Sequence, residues 1–263
     1  MILAKTTDCH SAAFLALERT MANASWKQEA MQHAIEEQPR EACGLVVVIK
    51  GKEQYWPCTN LAENTEQFIL DPADYADAED SGEITAVVHS HPMMPAAPSQ
   101  ADLVSIESGD LPWYIVNPST KQWSGPLLPT GYKAPLIGRE WVWGATDCWS
   151  LAYDWYVQAG LQLLQFERPL KPADFEADPL FERSWKLAGF ELIPDDEPLE
   201  RGDFILMAIG NKALNHCGVY IGDGMMLHHL RNRLSSRDMY GGWLAKCTGR
   251  RLRHPDLPKM ARG

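Results

Sequence analysis

The stretch Ile84-Thr85-Ala86-Val87-Val88-His89-Ser90-His91-Pro92, followed by Ser99-Gln100-Ala101-Asp102, decides how the first half of this 263-residue chain is read. Residues 84–88 form a β-branched, mostly apolar run that predicts a buried strand. Side chains two apart on a strand share a face, so His89 and His91 leave its end together, and Asp102 returns from the next element as a third ligand. Two imidazoles, a carboxylate and a water describe a catalytic zinc site.

Upstream, residues 26–37 put Trp26, Ala30, Met31, Ala34 and Ile35 on one helical face, and Pro39 closes that helix. Glu41-Ala42-Cys43-Gly44 leads into Leu45-Val46-Val47-Val48-Ile49, a second buried strand with Glu41 at its entrance, and Gly51-Lys52 offers a hairpin turn. Asp71-Pro72 caps a helix expected over 73–79, and Gly82 resets the chain before the histidine strand. Downstream, residues 112–116 read as a strand ending at Asn117-Pro118. Four prolines and three glycines between 118 and 138 mark a linker.

A second pattern starts at Trp141. Asp147-Cys148 opens an apolar helical run through Val157, which places Cys148 at a helix N-terminus, where unpaired backbone N–H groups favour a thiolate. Residues 165–200, rich in Pro, Asp and Glu, read as a surface insertion with one helix over 179–187 ended by Gly189. Three strands follow: 204–207, 217–221 and 225–228, the last two joined by a Gly222-Asp223-Gly224 hairpin turn. His216 stands at the start of one strand and His228 on its hairpin partner, where it can orient His216 through the second ring nitrogen. Nucleophile, base and orienting group are then all present. His229 points to the other strand face and reads as structural.

Bulk numbers agree with two folded domains. The chain is 45% hydrophobic and 22% charged, with ten tryptophans, so disorder is excluded as the default. A formal net charge of -11 argues against nucleic acid as the main partner. The cysteines Cys9, Cys43, Cys58, Cys148, Cys217 and Cys247 form no Cys-x-x-Cys pair or disulfide framework and read as reduced. No run approaches the ~20 apolar residues of a membrane span. Residues 1–24 imitate a signal peptide, but Asp8 and Glu18-Arg19 flank the apolar run, which predicts a cytoplasmically made protein with a leader.

The set of Glu41, His89-x-His91-Pro92 and Ser99-x-x-Asp102 resembles the JAMM/MPN metalloprotease family over about 25–125, and Glu41-Ala-Cys-Gly-Leu resembles its bacterial branch. That resemblance implies zinc on His89, His91 and Asp102, Glu41 as general base and Ser99 as a hydrogen-bond donor to the oxyanion. Asp147-Cys148, Leu199-x-x-Gly202-Asp203 and His216-x-Gly-Val-Tyr-Ile-Gly-Asp-Gly resemble NlpC-type cysteine peptidases that cut peptidoglycan stem peptides, over about 136–253. Carried over, Cys148 is the nucleophile, His216 the base and His228 the third polar residue. Two positions depart from that family: Trp149-Ser150 follows the cysteine in place of Ser-Gly, and Trp141 or Trp143 stands where an upstream Tyr is expected. The oxyanion donor is therefore open between Tyr132 and a backbone N–H.

The pairing implies a two-domain α+β / α/β chain: leader 1–24, a JAMM mixed-sheet domain with helices over 25–125, linker 126–137, an NlpC-type papain-like α+β domain over 138–255, and tail 256–263. The same pairing, with the segment 227–238, resembles the tail assembly protein K family of lambda-like phages. It implies a hydrolase at the virion tail tip, assembled in the host cytoplasm, acting on cell-wall stem peptides in the periplasmic space on entry and contacting other tail-tip proteins. The basic positions Lys246, Arg250, Arg251, Arg253, Lys259 and Arg262 read either as a docking end for those proteins or as a solvated tail. The rival readings are a non-enzymatic tail-tip subunit with both sites vestigial and a free-standing bacterial cell-wall peptidase.

Overall fold

The computed structural model describes residues 25–166, 168–177 and 180–261. The leader expected over 1–24, Cys9, the first position of the helix expected at 179, and Arg262 lie outside the described residues. The described residues fall into two compact units, those of Met1–Pro98 with Ile106–Thr130 and those of Ser99–Ser105 with Gly131–Gly263.

The first unit is built on a mixed sheet of β1 (Cys43–Ile49), β2 (Lys52–Cys58), β3 (Glu83–Ser90), β4 (Trp113–Asn117) and β5 (Gln122–Leu127), in the order β2-β1-β3-β4-β5. Only the β3–β4 pair is parallel. The apolar runs in β1 and β3 are nearly continuous because both faces of these strands are covered. On one face Val46, Ala86 and Val88 meet Trp26 and Ala30 of α1, residues 25–36. On the other, Leu45, Val47 and Val87 meet Ala78 of α2 (Pro72–Ser81), which Asp71 caps by accepting from the Ala73 N–H. The buried stripe of α1 is narrower than expected. Trp26, Ala30 and Ala34 form a seam at four-residue spacing, while Ile35 is 43% exposed.

The breaker-rich region 118–138 is not wholly a linker, since Gln122–Leu127 forms β5. Pro126 is tolerated there because β5 is an edge strand, with one side free of ladder hydrogen bonds.

The second unit holds an antiparallel sheet of β6 (Glu191–Leu192), β7 (Phe204–Met207), β8 (His216–Gly222), β9 (Met225–His228), β10 (Ser236–Met239) and β11 (Thr248–Arg253), ordered β10-β9-β8-β7-β11-β6. The two-residue Asp223-Gly224 turn between β8 and β9 has positive φ at both positions, the geometry that matches strand twist. Helix α4 (Cys148–Gln158) buries Leu151, Ala152, Trp155 and Tyr156 against Phe204, Leu206, Val219 and Leu227.

Two expectations are corrected here. Residues 165–200 are not a surface insertion: α5 (Pro172–Ala177) and α6 (Leu180–Ser184) bring Phe175, Leu180, Phe181, Trp185 and Phe190 into the same core as α4. The acidic and proline content of this segment describes its outer side; its aromatic residues decide where it packs. The basic run 250–253 is not a solvated tail but the internal strand β11, which pairs its charges within the unit. Arg250 pairs with Glu182 at 2.6 Å, and Arg253 with Asp203 at 2.7 Å and with Glu197. No helix among the described residues is long and apolar enough to cross a membrane.

Candidate active sites

The antiparallel register of β1 against β3 sets Cys43 opposite His89. Continued two residues outward, the same register sets Glu41 opposite His91. Hydrogen bonds hold this extension: the Ser90 N–H donates to the Ala42 carbonyl at 2.9 Å, and the Ala42 N–H to Ser90 Oγ at 2.8 Å. A separation of fifty positions in sequence thus closes to 3.9 Å between Glu41 Oε1 and His91 Nε2. That is too long for a hydrogen bond and leaves room for an atom between them.

All three side chains are buried, at 3% exposure or less. His89 stacks on Phe68 with centroids 4.7 Å apart and lies edge-on to Trp113 at 5.6 Å. His91 Nδ1 lies 2.9 Å from the Pro95 carbonyl, an acceptor only, so Nδ1 carries the proton and Nε2 keeps its lone pair. The two Nε2 atoms are 3.1 Å apart. Two ligands on a tetrahedral zinc are separated by about 3.3 Å, and a backbone carbonyl behind the ring is the usual support for a metal-binding imidazole. The donor set therefore fits the metal.

Among the described residues, the group gathered for a metal, with ligand atoms within 4.8 Å of one another, is Glu41, His89 and His91. Asp102, expected as the third ligand, is not in that group. Its Oδ2 accepts from the Ser99 N–H at 2.7 Å while Ser99 Oγ accepts from the Asp102 N–H at 3.1 Å, a reciprocal cap at the head of α3 (Gln100–Ile106). The Ser-x-x-Asp spacing read for chemistry is also a helix-start signal.

Cys148 is the first residue of α4, and Asp147 caps that helix, Oδ1 accepting from the Ser150 N–H at 3.0 Å. Oδ2 of Asp147 accepts from the Gly144 N–H at 2.9 Å and from Arg168, whose guanidinium also lies 5.7 Å from the centre of the Trp143 ring. Cys217 and His216 on β8 are the neighbours that act most strongly to favour the thiolate of Cys148. The Cys217 thiol, then the His216 hydrogen bond and charge, pull Cys148 down to about 5, against burial and the Asp147 carboxylate. Cys217 itself is pushed the opposite way, first by burial and then by Cys148.

His216 Nε2 lies 3.1 Å from His228 Nδ1, so the ring nitrogen left for Cys148 is Nδ1. His228 Nε2 in turn lies 2.9 Å from Asp238 Oδ2 on β10. The structure thus links His216 to His228 and Asp238 by hydrogen bonds and sets Cys148 among His216 and Cys217. Cys217 was legible as the residue after the base, but its contact depends on how α4 crosses β8. Asp238 lies in the segment 227–238 already singled out, yet only the β9–β10 register, with Ser236 opposite His228, brings it in. Next to Cys148, an aromatic cavity is lined by Trp143, Trp149, Phe166, Phe175, Phe181 and Phe190. His229 is fully buried, with Nε2 3.0 Å from the Arg233 carbonyl, in keeping with a structural role.

The sequence model of prokaryotic homologs of the JAB domain matches residues 23–124, and that of the NlpC/P60 family matches residues 138–253. The chain is 37% identical over 235 residues to the tail tip assembly protein K of Escherichia phage N15, covering 86% of this chain and 93% of that one. It is 33% identical over 173 residues to the protein of the same name from Escherichia phage lambda, covering 65% and 82%. A crystal structure of an NlpC/P60 family protein from Bacillus cereus is 15% identical, covers 86% of this chain and 67% of that one, and has a TM-score of 0.31, too low to bear on the fold.

Fold and sites together define a protein in which a JAB-type domain precedes an NlpC/P60 peptidase-type domain. The chain belongs to the tail tip assembly protein K family.

Proposed function

We propose that this phage tail tip protein cuts the stem peptides of peptidoglycan with Cys148 as nucleophile. The supporting observation is a buried thiol at a capped helix N-terminus, lowered to about 5 in part by an imidazole that a second imidazole orients. The Cys148 thiolate attacks the scissile carbonyl carbon, and the displaced electron pair rests on the carbonyl oxygen. With the Ser150 N–H taken by Asp147, the Cys148 and Trp149 N–H groups of the first turn of α4 are assigned as donors to that oxyanion. Collapse of the adduct breaks the C–N bond as His216 Nδ1 passes its proton to the leaving amine, which leaves a thioester on Cys148. Water, giving a proton to His216, then releases the acid and restores the thiol and imidazole pair. The aromatic side chains of the cavity beside Cys148 lower the local dielectric and so strengthen the charges of this exchange.

His89 and His91 of the first unit would hold zinc, and Asp102 is assigned as a third ligand from the motif spacing alone. Bound there, zinc supplies a Lewis acid and lowers the pKa of its water toward neutrality. Glu41 would serve as the proton acceptor that later returns a proton to the leaving amine, and Ser99 is assigned from the motif to the oxyanion. This second centre is a metallopeptidase whose substrate is a protein tail or peptide. This reading takes the virion tail tip and assembly in the host cytoplasm with other tail proteins from the family, and adds action in the periplasm on entry.

Mass spectrometry of peptidoglycan digested with the purified protein is the direct test. Wild type is expected to release cut stem peptides and Cys148→Ala none. Equal products from both, or none from wild type, would remove Cys148 from this role.

A further inference from the structure

The reading of Cys148 as nucleophile leaves open what sets the protons of its two histidines. A neutral imidazole has one N–H and one lone pair, so a line of two imidazoles has a direction that neither ring decides alone. Resting on that reading, we propose that Asp238 is the positioning residue that sets this direction and so makes His216 the base.

The geometry runs from the carboxylate inward. Asp238 and Ser236 share a face of β10, and the register places Ser236 opposite His228. Asp238 Oδ2, 2.9 Å from His228 Nε2, also receives the Ser236 hydroxyl at 3.3 Å and lies 3.4 Å from Arg233. An ionised carboxylate only accepts, so His228 carries its proton on Nε2 and a lone pair on Nδ1. That lone pair faces His216 Nε2 at 3.1 Å, so His216 donates from Nε2. The lone pair of His216 is then on Nδ1, toward Cys148. When the thiol proton moves to Nδ1, the imidazolium charge is met through His228 by a carboxylate rather than by apolar core.

The charges around this line favour its direction. His228 is held below the ordinary histidine range, first by burial, and so stays neutral as a relay. Asp238 is held below the ordinary carboxylate range, first by its hydrogen bond to His228. Arg233 stands beyond Asp238, while Asp147 and Cys217 face the far end of the line at Cys148.

Replacing the carboxylate by an amide removes the charge that fixes the line and lets an N–H take the place of the acceptor. If the Asn N–H donates to His228 Nε2, His228 must donate from Nδ1, His216 must accept at Nε2, and Nδ1 then presents a proton to Cys148. Where a carboxylate touches the base directly, such a reversal costs ~10⁴-fold in rate; with one imidazole between, and Asp238 30% exposed, the expected loss in kcat is about 10- to 100-fold.

The test is iodoacetamide alkylation of Cys148 between pH 4 and 9, followed by peptide mass spectrometry to separate it from the other cysteines, with thermal melting as a folding control. Wild type is expected to react at pH 6. Asp238→Asn should react at least about tenfold more slowly there and approach wild type only near the ordinary thiol range. Asp238→Glu, which keeps the acceptor, should restore most of the reactivity. A wild-type Cys148 that titrates as an ordinary thiol overturns the nucleophile reading itself. A low-titrating wild type with an unchanged Asp238→Asn profile, or a Glu variant as slow as Asn, overturns the role of Asp238 alone.

Discussion

At the scale of single residues, both sites depend on which nitrogen of a histidine carries the proton. The Pro95 carbonyl behind His91 turns its Nε2 lone pair toward His89 and Glu41. Buried lone pairs and a carboxylate so close together are costly unless an ion or proton lies among them. Protein made in zinc-replete cells and analysed by plasma mass spectrometry is expected to carry about one zinc per chain. His91→Ala should carry less than a tenth of that, and metal-free wild type would remove zinc from the first unit. The His89-x-His91 pair and Glu41 were legible because ligand chemistry is a property of residue type and spacing. What the motif could not supply is the partner behind each ring, since Pro95 and Phe68 carry no signal of that role.

At the scale of elements, strand register decides what the sites contain. Gly218 pairs with His228 across β8 and β9, and a Cβ there would lie 2.9 Å from the Leu227 carbonyl oxygen and 3.0 Å from His228 Cβ. Gly218→Ala must push β9 away from β8 and carry His228 off His216. The expected cost is about 1–3 kcal/mol in urea unfolding, together with a loss of peptidoglycan cleavage larger than the loss of stability explains. Unchanged stability and cleavage would show that the sheet absorbs the methyl elsewhere. Periodicity identified β1, β3, β7, β8 and β9 because their apolar runs are bounded by turns. It misread β11, since a strand inside a sheet was expected to be apolar, and Arg250 and Arg253 are accommodated by pairing with Glu182 and Asp203. It also misread 165–200, where aromatic residues spaced irregularly around short helices give no period to detect.

At the scale of the whole molecule, stability should depend on pH in a stated direction. Burial holds His33, His228 and His229 below the ordinary histidine value. Below about pH 6.5 the unfolded chain binds protons that these residues refuse in the native state, so stability falls with pH, by up to about 1.4 kcal/mol per unit for each group. Cys148, lowered to about 5, has the same sign over a wider window, because between about pH 8.5 and 5 the unfolded thiol takes up a proton while the native thiolate does not. On the alkaline side, burial raises Cys43 and pushes Cys58 up to about 12, so stability falls again once unfolded thiols ionise above about pH 8.5. Thermal melting is therefore expected to peak near about pH 8.5. A melting temperature unchanged from pH 7 to pH 5 would contradict this.

The sequence by itself determined the fold class, the zinc-type motif, and the order of Cys148, His216 and His228, because hydrophobic period, turn chemistry and ligand type are local properties of the chain. Only the tertiary structure decided that Glu41 meets His91, that Cys217 and Asp238 join the thiol site, and that residues 165–200 line it. Those outcomes depend on register and on packing between distant segments, and a shift of one residue would turn each side chain to the opposite face.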